Sequence, residues 1–145
     1  MQKLTGIVVA LTRFISRSVD RCRPFFLLIN KWKGFEWIEE CATAFQQFKD
    51  YLARSPIMSS PEPDEVLFAY IAVASYAISL VLIRVDDGVQ QPVYYMSKSL
   101  HEAKVRYLPL EKAILAVVLG TCKLPHYFQA YTVVVLTKLP LKTIL

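Results

Sequence analysis

The chain has 145 residues, enough for one ordinary domain or a small domain with a helical extension. At 54% hydrophobic residues it is too apolar to be disordered. Its net charge of +5 lies mostly early: residues 1–54 hold nine Lys/Arg against five Asp/Glu, and the rest hold eight against seven. A basic first third is compatible with a phosphate backbone nearby, and equally with a solvated helix face.

Leu4, Ile7, Val8, Leu11, Phe14 and Ile15 make one apolar stripe, which predicts a helix over residues 2–18. No small-residue cleavage site follows Met1-Gln2-Lys3, so this helix does not read as a signal peptide. A basic loop, Ser18 to Arg23, comes next, and Pro24 bars continuation of the helix. Phe25 to Ile29 is a short apolar stretch of undefined type, and Lys31–Gly34 reads as a turn. Residues 38–53 predict a second helix. Cys41, Ala44, Phe45, Phe48 and Leu52 form its apolar face, and Glu39 and Glu40 suit the positive end of its dipole. Trp32 and Trp37, just before it, read as packing anchors, and Ser55-Pro56 ends it. Ser59–Asp64 is linker-like, so the expected division is residues 1–60 and residues 61–145.

Beyond the linker the period becomes that of strands. Val66–Val73 and Ile78–Val85 predict two strands, Asp86-Asp87-Gly88 a hairpin turn, and Pro92–Ser97 a third strand. Val105–Cys122 predicts a helix with Pro109 in its first turn, and Thr132–Leu136 a fourth strand. The order implies an α+β (mixed α/β) fold: N-terminal helices, three antiparallel strands, a crossover helix and a fourth strand in one mixed sheet. The uncharged run Val66–Ile83 reaches the lower length limit for a membrane helix. Its Tyr70, Ser75, Tyr76 and Ser79, its β-branched content and the turn after it favour strands, so no membrane partner is expected. Cys22, Cys41 and Cys122 lack metal spacing with each other or with His101 and His126. They read as buried or partly buried free thiols in a reducing, intracellular compartment, the cytoplasm or the nucleus. Tyr70, Tyr76, Tyr94 and Tyr95 read as half-buried sheet residues, and Lys112 and Lys123 as solvated.

Several segments in the right order also carry a resemblance. Ala72-Val73-Ala74-Ser75-Tyr76-Ala77-Ile78-Ser79-Leu80-Val81-Leu82 is similar to Asp-Ala-Ser-x-x-Ala-x-Gly-Ala-Val-Leu. Pro92-Val93-Tyr94-Tyr95-Met96-Ser97-Lys98-Ser99-Leu100 resembles a Pro-Val-x-Tyr-x-Ser-Lys-x-Leu strand, and Tyr107–Ala116 resembles Tyr-x-x-x-Glu-x-Glu-x-Leu-Ala. Thr137-Lys138 stands where the pattern has Thr-Asp, and Phe35–Phe45 looks like Phe-x-Trp-Thr-x-x-Cys-x-x-Ala-Phe. These are patterns of the RNase H-like region of gypsy-type LTR retrotransposon Pol polyproteins. Leu11–Ser18, continued by Cys22–Phe26, looks like the thumb helix after a reverse-transcriptase palm. The chain looks most similar to plant-type elements whose first RNase H-like domain is degenerate, and which can carry a second, active RNase H downstream.

The resemblance implies a reverse-transcriptase thumb/connection-like segment over 1–60 and a truncated, degenerate RNase H-like domain over 61–145. It implies a fragment of a longer open reading frame, whose other parts would be a polymerase palm, a downstream RNase H and an integrase, or else a decayed genomic copy. The family cleaves the RNA of an RNA–DNA hybrid with two Mg²⁺ ions, which need hard carboxylate ligands. The matching positions here are Ala72, Ala113 and Lys138, so the local formal charge goes from −3 to +1. A lysine there repels a divalent ion by roughly 8 kcal/mol at 4 Å near a surface. Glu111, two residues before Ala113, should face away from the site. The expectation is therefore no catalytic residue, no bound metal or other cofactor, and an ancestral role as tether and holder of an RNA–DNA hybrid. One alternative is an RNase H that recruits other ligands. Another is a nucleic-acid-binding module whose contacts are Arg13, Arg17, Arg21 and Arg23. Two further departures are Ile38, where the pattern's Thr would cap a helix, and the bulkier Ser79-Leu80 in place of Gly-Ala.

Overall fold

The computed structural model describes residues 2–29, 36–54 and 57–141. The turn expected at Lys31–Gly34, Trp32 beside it and the helix stop at Ser55-Pro56 lie outside the described residues. The helices are α1 (Gln2–Leu11), α2 (Ser18–Ile29), α3 (Glu39–Arg54), α4 (Pro109–Lys123) and α5 (Pro125–Ala130). The strands are β1 (Val66–Val73), β2 (Ala77–Asp86), β3 (Val89–Ser99) and β4 (Thr132–Leu136).

The expected long first helix breaks in two. α1 stops at Leu11, a 3-10 turn covers Thr12–Phe14, and Arg17 takes a left-handed φ of 51° before α2 starts at Ser18. Tertiary bonds hold the break: the Ser16 N–H donates to Tyr51 Oη (3.0 Å), and the Tyr51 hydroxyl donates to Ser16 Oγ (3.0 Å). Of the predicted stripe, Val8 and Ile15 are buried and Ile7 is exposed. The expected basic loop is corrected too. Ser18–Arg23 is helical, and Pro24 lies inside α2. A proline there removes one backbone donor at a cost of about 3 kcal/mol. Burial of Cys22 and Phe25 in one cluster with Val8, Ile15 and Phe48 offsets it.

α3 presents the expected face, with Cys41 and Phe48 buried. The Ile38 carbonyl accepts the N–H groups of Cys41 and Ala42, so Ile38 holds the N-cap position with a side chain that cannot accept a hydrogen bond. Ile38→Thr is expected to raise the unfolding free energy by about 1 kcal/mol in a denaturant titration. An unchanged or lowered midpoint would show that the hydroxyl finds no N–H there.

The sheet order is β3-β2-β1-β4, with β1 antiparallel to β2 and parallel to β4. This is the expected mixed sheet. Asp87 (φ 48°) and Gly88 (φ 78°) make the two-residue hairpin loop, a left-handed pair that Asp-Gly favours. β3 is an edge strand. Pro92 is tolerated there beside a bulge, where Leu82 faces Tyr94 and Ile83 faces Pro92. The linker-like segment is stapled to this edge. Ser59 N–H donates to the Pro92 carbonyl (2.9 Å), and Arg84 donates to Ser59 Oγ (3.1 Å), the Ser60 carbonyl (3.2 Å) and Glu65 Oε1 (2.9 Å from Nη2). The Glu62 backbone N–H, followed by Arg84, holds the Glu65 carboxyl below its ordinary range.

Helices cover both sheet faces. Leu67, Ala69, Leu80, Leu82 and Met96 pack with Leu119 of α4 and with Tyr127 and Phe128 of α5. On the other face Ser79 Oγ bonds Ser97 Oγ (3.0 Å), which accepts the Val19 N–H of α2 (3.4 Å). The single helix expected over Val105–Cys122 is two elements: a 3-10 turn at Glu102–Arg106, then α4 with Pro109 in its first turn. The short α5 was not foreseen. Leu80 finds its space at Gly120 of α4, where a Cβ would stand 3.0 Å from Leu80 Cδ1.

Candidate functional site

The three positions matched to the acidic triad do not share one surface. Ala72 pairs with Ser79, so it lies on the α2 face, in a shallow pocket with Ser16, Arg17, Tyr70 and Tyr95. Its neighbours Ile71 and Val73 alternate to the other face. Ala113 is fully buried on α4. Lys138 is exposed just beyond β4 and shares a groove with Tyr70, Val73 and Leu136 at the C-terminal ends of β1 and β4. The structure thus brings Lys138 beside Val73 and leaves Ala72 on the opposite face.

Glu111 spends its carboxylate on the start of α4, where Oε2 accepts the Leu108 N–H at 2.8 Å. Lys112 corrects the expectation of a solvated side chain. It is buried, and its ammonium donates to the carbonyls of Ser75 (3.0 Å) and Ala74 (3.4 Å). Two methyl groups and an ammonium supply no ligand for Mg²⁺, so the residues at the triad positions do not fit a metal pair. Among the described residues no three His, Cys, Asp or Glu side chains cluster in reach of one ion.

The four candidate arginines are exposed, and each has a neighbour. Arg13 lies over the Phe14 ring (4.5 Å) and Arg17 pairs with Asp20 (3.0 Å). Arg21 lies over Tyr51 (4.2 Å) and donates to the Ser16 carbonyl (3.0 Å), and Arg23 lies over Tyr76 (4.4 Å). The break at residues 12–17 removes the continuous helical face that their spacing suggested. Tyr94 and Tyr95 are half-buried as expected, whereas Tyr70 and Tyr76 are exposed. Burial, followed by Tyr51, pushes the Tyr95 hydroxyl above its ordinary pKa. Burial raises the Cys22 thiol to about 11 against the pull of Arg21. Cys41 is buried as expected, but Cys122 is exposed. Both histidines are exposed. The uncharged run 66–83 forms β1 and most of β2, and no helix among the described residues is long and apolar enough to cross a membrane.

A mixed sheet in the order β3-β2-β1-β4, crossed by α4 between β3 and β4, defines an RNase H-like fold. The chain belongs to the family described as "RNase H-like domain found in reverse transcriptase", whose model matches residues 37–135. It is 25% identical over 127 residues to the Retrovirus-related Pol polyprotein from transposon 297 of Drosophila melanogaster, covering 84% of this chain and 11% of that protein. It is 22% identical over 131 residues to the Transposon Tf2-3 polyprotein of Schizosaccharomyces pombe, covering 90% of this chain and 10% of that protein. The chain therefore spans about a tenth of the length of these relatives. Among solved structures, the foamy viral protease-reverse transcriptase dRH in complex with ds DNA superposes with a TM-score of 0.77 at 15% identity, over 99% of this chain and 26% of that one. The foamy viral protease-reverse transcriptase in complex with RNA/DNA hybrid gives 0.75 at 16% identity, over 98% of this chain and 20% of that one. At these identities the likeness is one of fold.

Proposed function

We propose that this chain is a non-catalytic RNase H-like part of a retroelement Pol polyprotein of the gypsy type, of the kind found in plant elements, with a thumb/connection-like segment over residues 1–60. In this reading it tethers the polymerase palm to a downstream RNase H and integrase, and helps to hold an RNA–DNA hybrid. The observation that carries it is the absence of any carboxylate at Ala113, at Lys138 and at either end residue of β1, Ala72 or the Val73 that stands beside Lys138. Two-metal hydrolysis needs anionic oxygen to gather the ions. The nearest acid on α4, Glu111, is engaged in its cap. The test is cleavage of a labelled RNA–DNA hybrid in Mg²⁺ or Mn²⁺. The expected result is no hydrolysis above a protein-free control; metal-dependent cutting by the unaltered chain would replace this reading with the active-RNase H alternative.

Hybrid holding rests on a second observation, the exposed arginines along α2 and the turn before it. Phosphate contacts release counterions, so affinity should fall with salt by a slope of about −0.7 to −0.9 per contact on a log–log plot. Arg13→Gln, Arg17→Gln and Arg21→Gln together should weaken binding and flatten that slope. Binding indifferent to salt, or no binding at all, rejects this part of the reading and leaves the tether role standing.

A further inference from the structure

Lys112 is the one buried lysine among the described residues: it is 6% exposed. Its side chain runs from the first half of α4 to the turn between β1 and β2, and both of its acceptors, Ser75 and Ala74, are backbone carbonyls. A buried cation persists only where oriented oxygens replace the water it has lost. The same turn is gripped from the opposite layer. Arg23 of α2 lies over the Tyr76 ring at 4.4 Å, and the Tyr76 carbonyl accepts the Leu100 N–H at 2.7 Å. Inside the turn, Ala74 N–H donates to the Ala77 carbonyl at 2.9 Å, which fixes the direction in which the neighbouring carbonyls point.

We propose that the Ala74 and Ser75 carbonyls form a seat for a primary ammonium ion, which Lys112 fills from within, and that this ammonium pins α4 to the β1–β2 turn. Lys112 is then a positioning residue: it orders the turn, and through Tyr76 it sets the platform on which Arg23 lies. The seat selects by chemistry. Neutral carbonyl oxygens suit a monovalent N–H donor, whereas a divalent ion wants carboxylates, and neither acceptor here is one. A quaternary ammonium carries the same charge but has no N–H to donate.

The experiment follows from that selectivity and does not depend on the nucleic-acid reading. Lys112→Ala removes three methylenes and the ammonium, and n-propylammonium replaces those atoms. Lys112→Ala should lower the melting temperature by about 5–10 °C, the loss expected for a buried charged donor in a domain this size. Propylammonium chloride should restore part of that loss saturably, while tetramethylammonium chloride and NaCl at equal ionic strength should not. Lys112→Met keeps the apolar stem and should still be destabilised, with faster amide exchange at Leu100. A Lys112→Met chain as stable as the parent, or a Lys112→Ala chain that responds alike to all three salts, overturns the proposal. If Lys112→Ala does not fold in any salt, the Lys112→Met comparison decides alone.

Discussion

Phe25→Ala is expected to lower the unfolding free energy by about 3–5 kcal/mol, the range for truncating a buried phenylalanine. Phe25 is 1% exposed and stands where α1, α2 and α3 meet, in one cluster with Val8, Ile15, Cys22 and Phe48. Its ring stacks on Trp37 at 6.2 Å and meets Phe45 edge-on at 6.4 Å, and Trp37 meets Phe45 at 6.1 Å. Such ring pairs add about 0.5–1.5 kcal/mol beyond the area they bury. Phe25 also follows Pro24, so its burial helps hold the one stretch of α2 that lacks a backbone donor. Guanidinium unfolding should show the loss, and tryptophan emission should shift to the red as Trp37 loses one of its two ring partners. A change below about 1 kcal/mol would mean that the N-terminal helices contribute little to the fold's stability.

The second large effect is a coupling between two residues. Leu80→Ala should cost about 2–5 kcal/mol, because Leu80 is 1% exposed within the main core. Gly120→Ala alone gains helix propensity, about 1 kcal/mol, but its new methyl meets Leu80 Cδ1 at 3.0 Å and Phe128 Cζ at 3.5 Å. Overpacking of this kind costs about 1–3 kcal/mol, so a net loss is expected. In the double variant the alanine methyl takes up space that Leu80 has vacated, and the combined loss should fall short of the sum by about 1 kcal/mol or more. Strict additivity would show that the two sites do not share this space. The bulky residue of the Ser79-Leu80 pair is thus accommodated by an absent side chain on α4. Ser79 has its own role, since its hydroxyl joins β2 to Ser97 and so to α2.

What the sequence made legible is what local chemistry decides. Asp87-Gly88 needs two left-handed residues, and the strands on either side alternate or run apolar as a mixed sheet requires. The α3 face followed from the spacing of Cys41, Ala44, Phe45, Phe48 and Leu52. The misread parts are those decided by distant contacts. Pro24 forbids a helix locally, yet Phe25 and Cys22 draw α2 into the core. Arg17 and Ser16 interrupt a good helical stripe because Tyr51, 35 residues away from Ser16, bonds there. Lys112 looked wet because lysines usually are, and nothing within α4 announces the two carbonyls that receive it. The site shows the same limit: the residues at 72, 113 and 138 were legible as non-acidic. Which face residue 72 occupies depends on strand parity, where one position changes everything, and that was fixed only by the pairing of Ala72 with Ser79.

The unequal burial of the three thiols has a practical consequence. Cys22 and Cys41 are sealed in the N-terminal core, and Cys122 alone is presented to water, near the end of α4. A maleimide dye should therefore attach to the native protein at one place, with no engineering. The two protected sulfurs become countable labels, taking up reagent only as the helical layer comes apart.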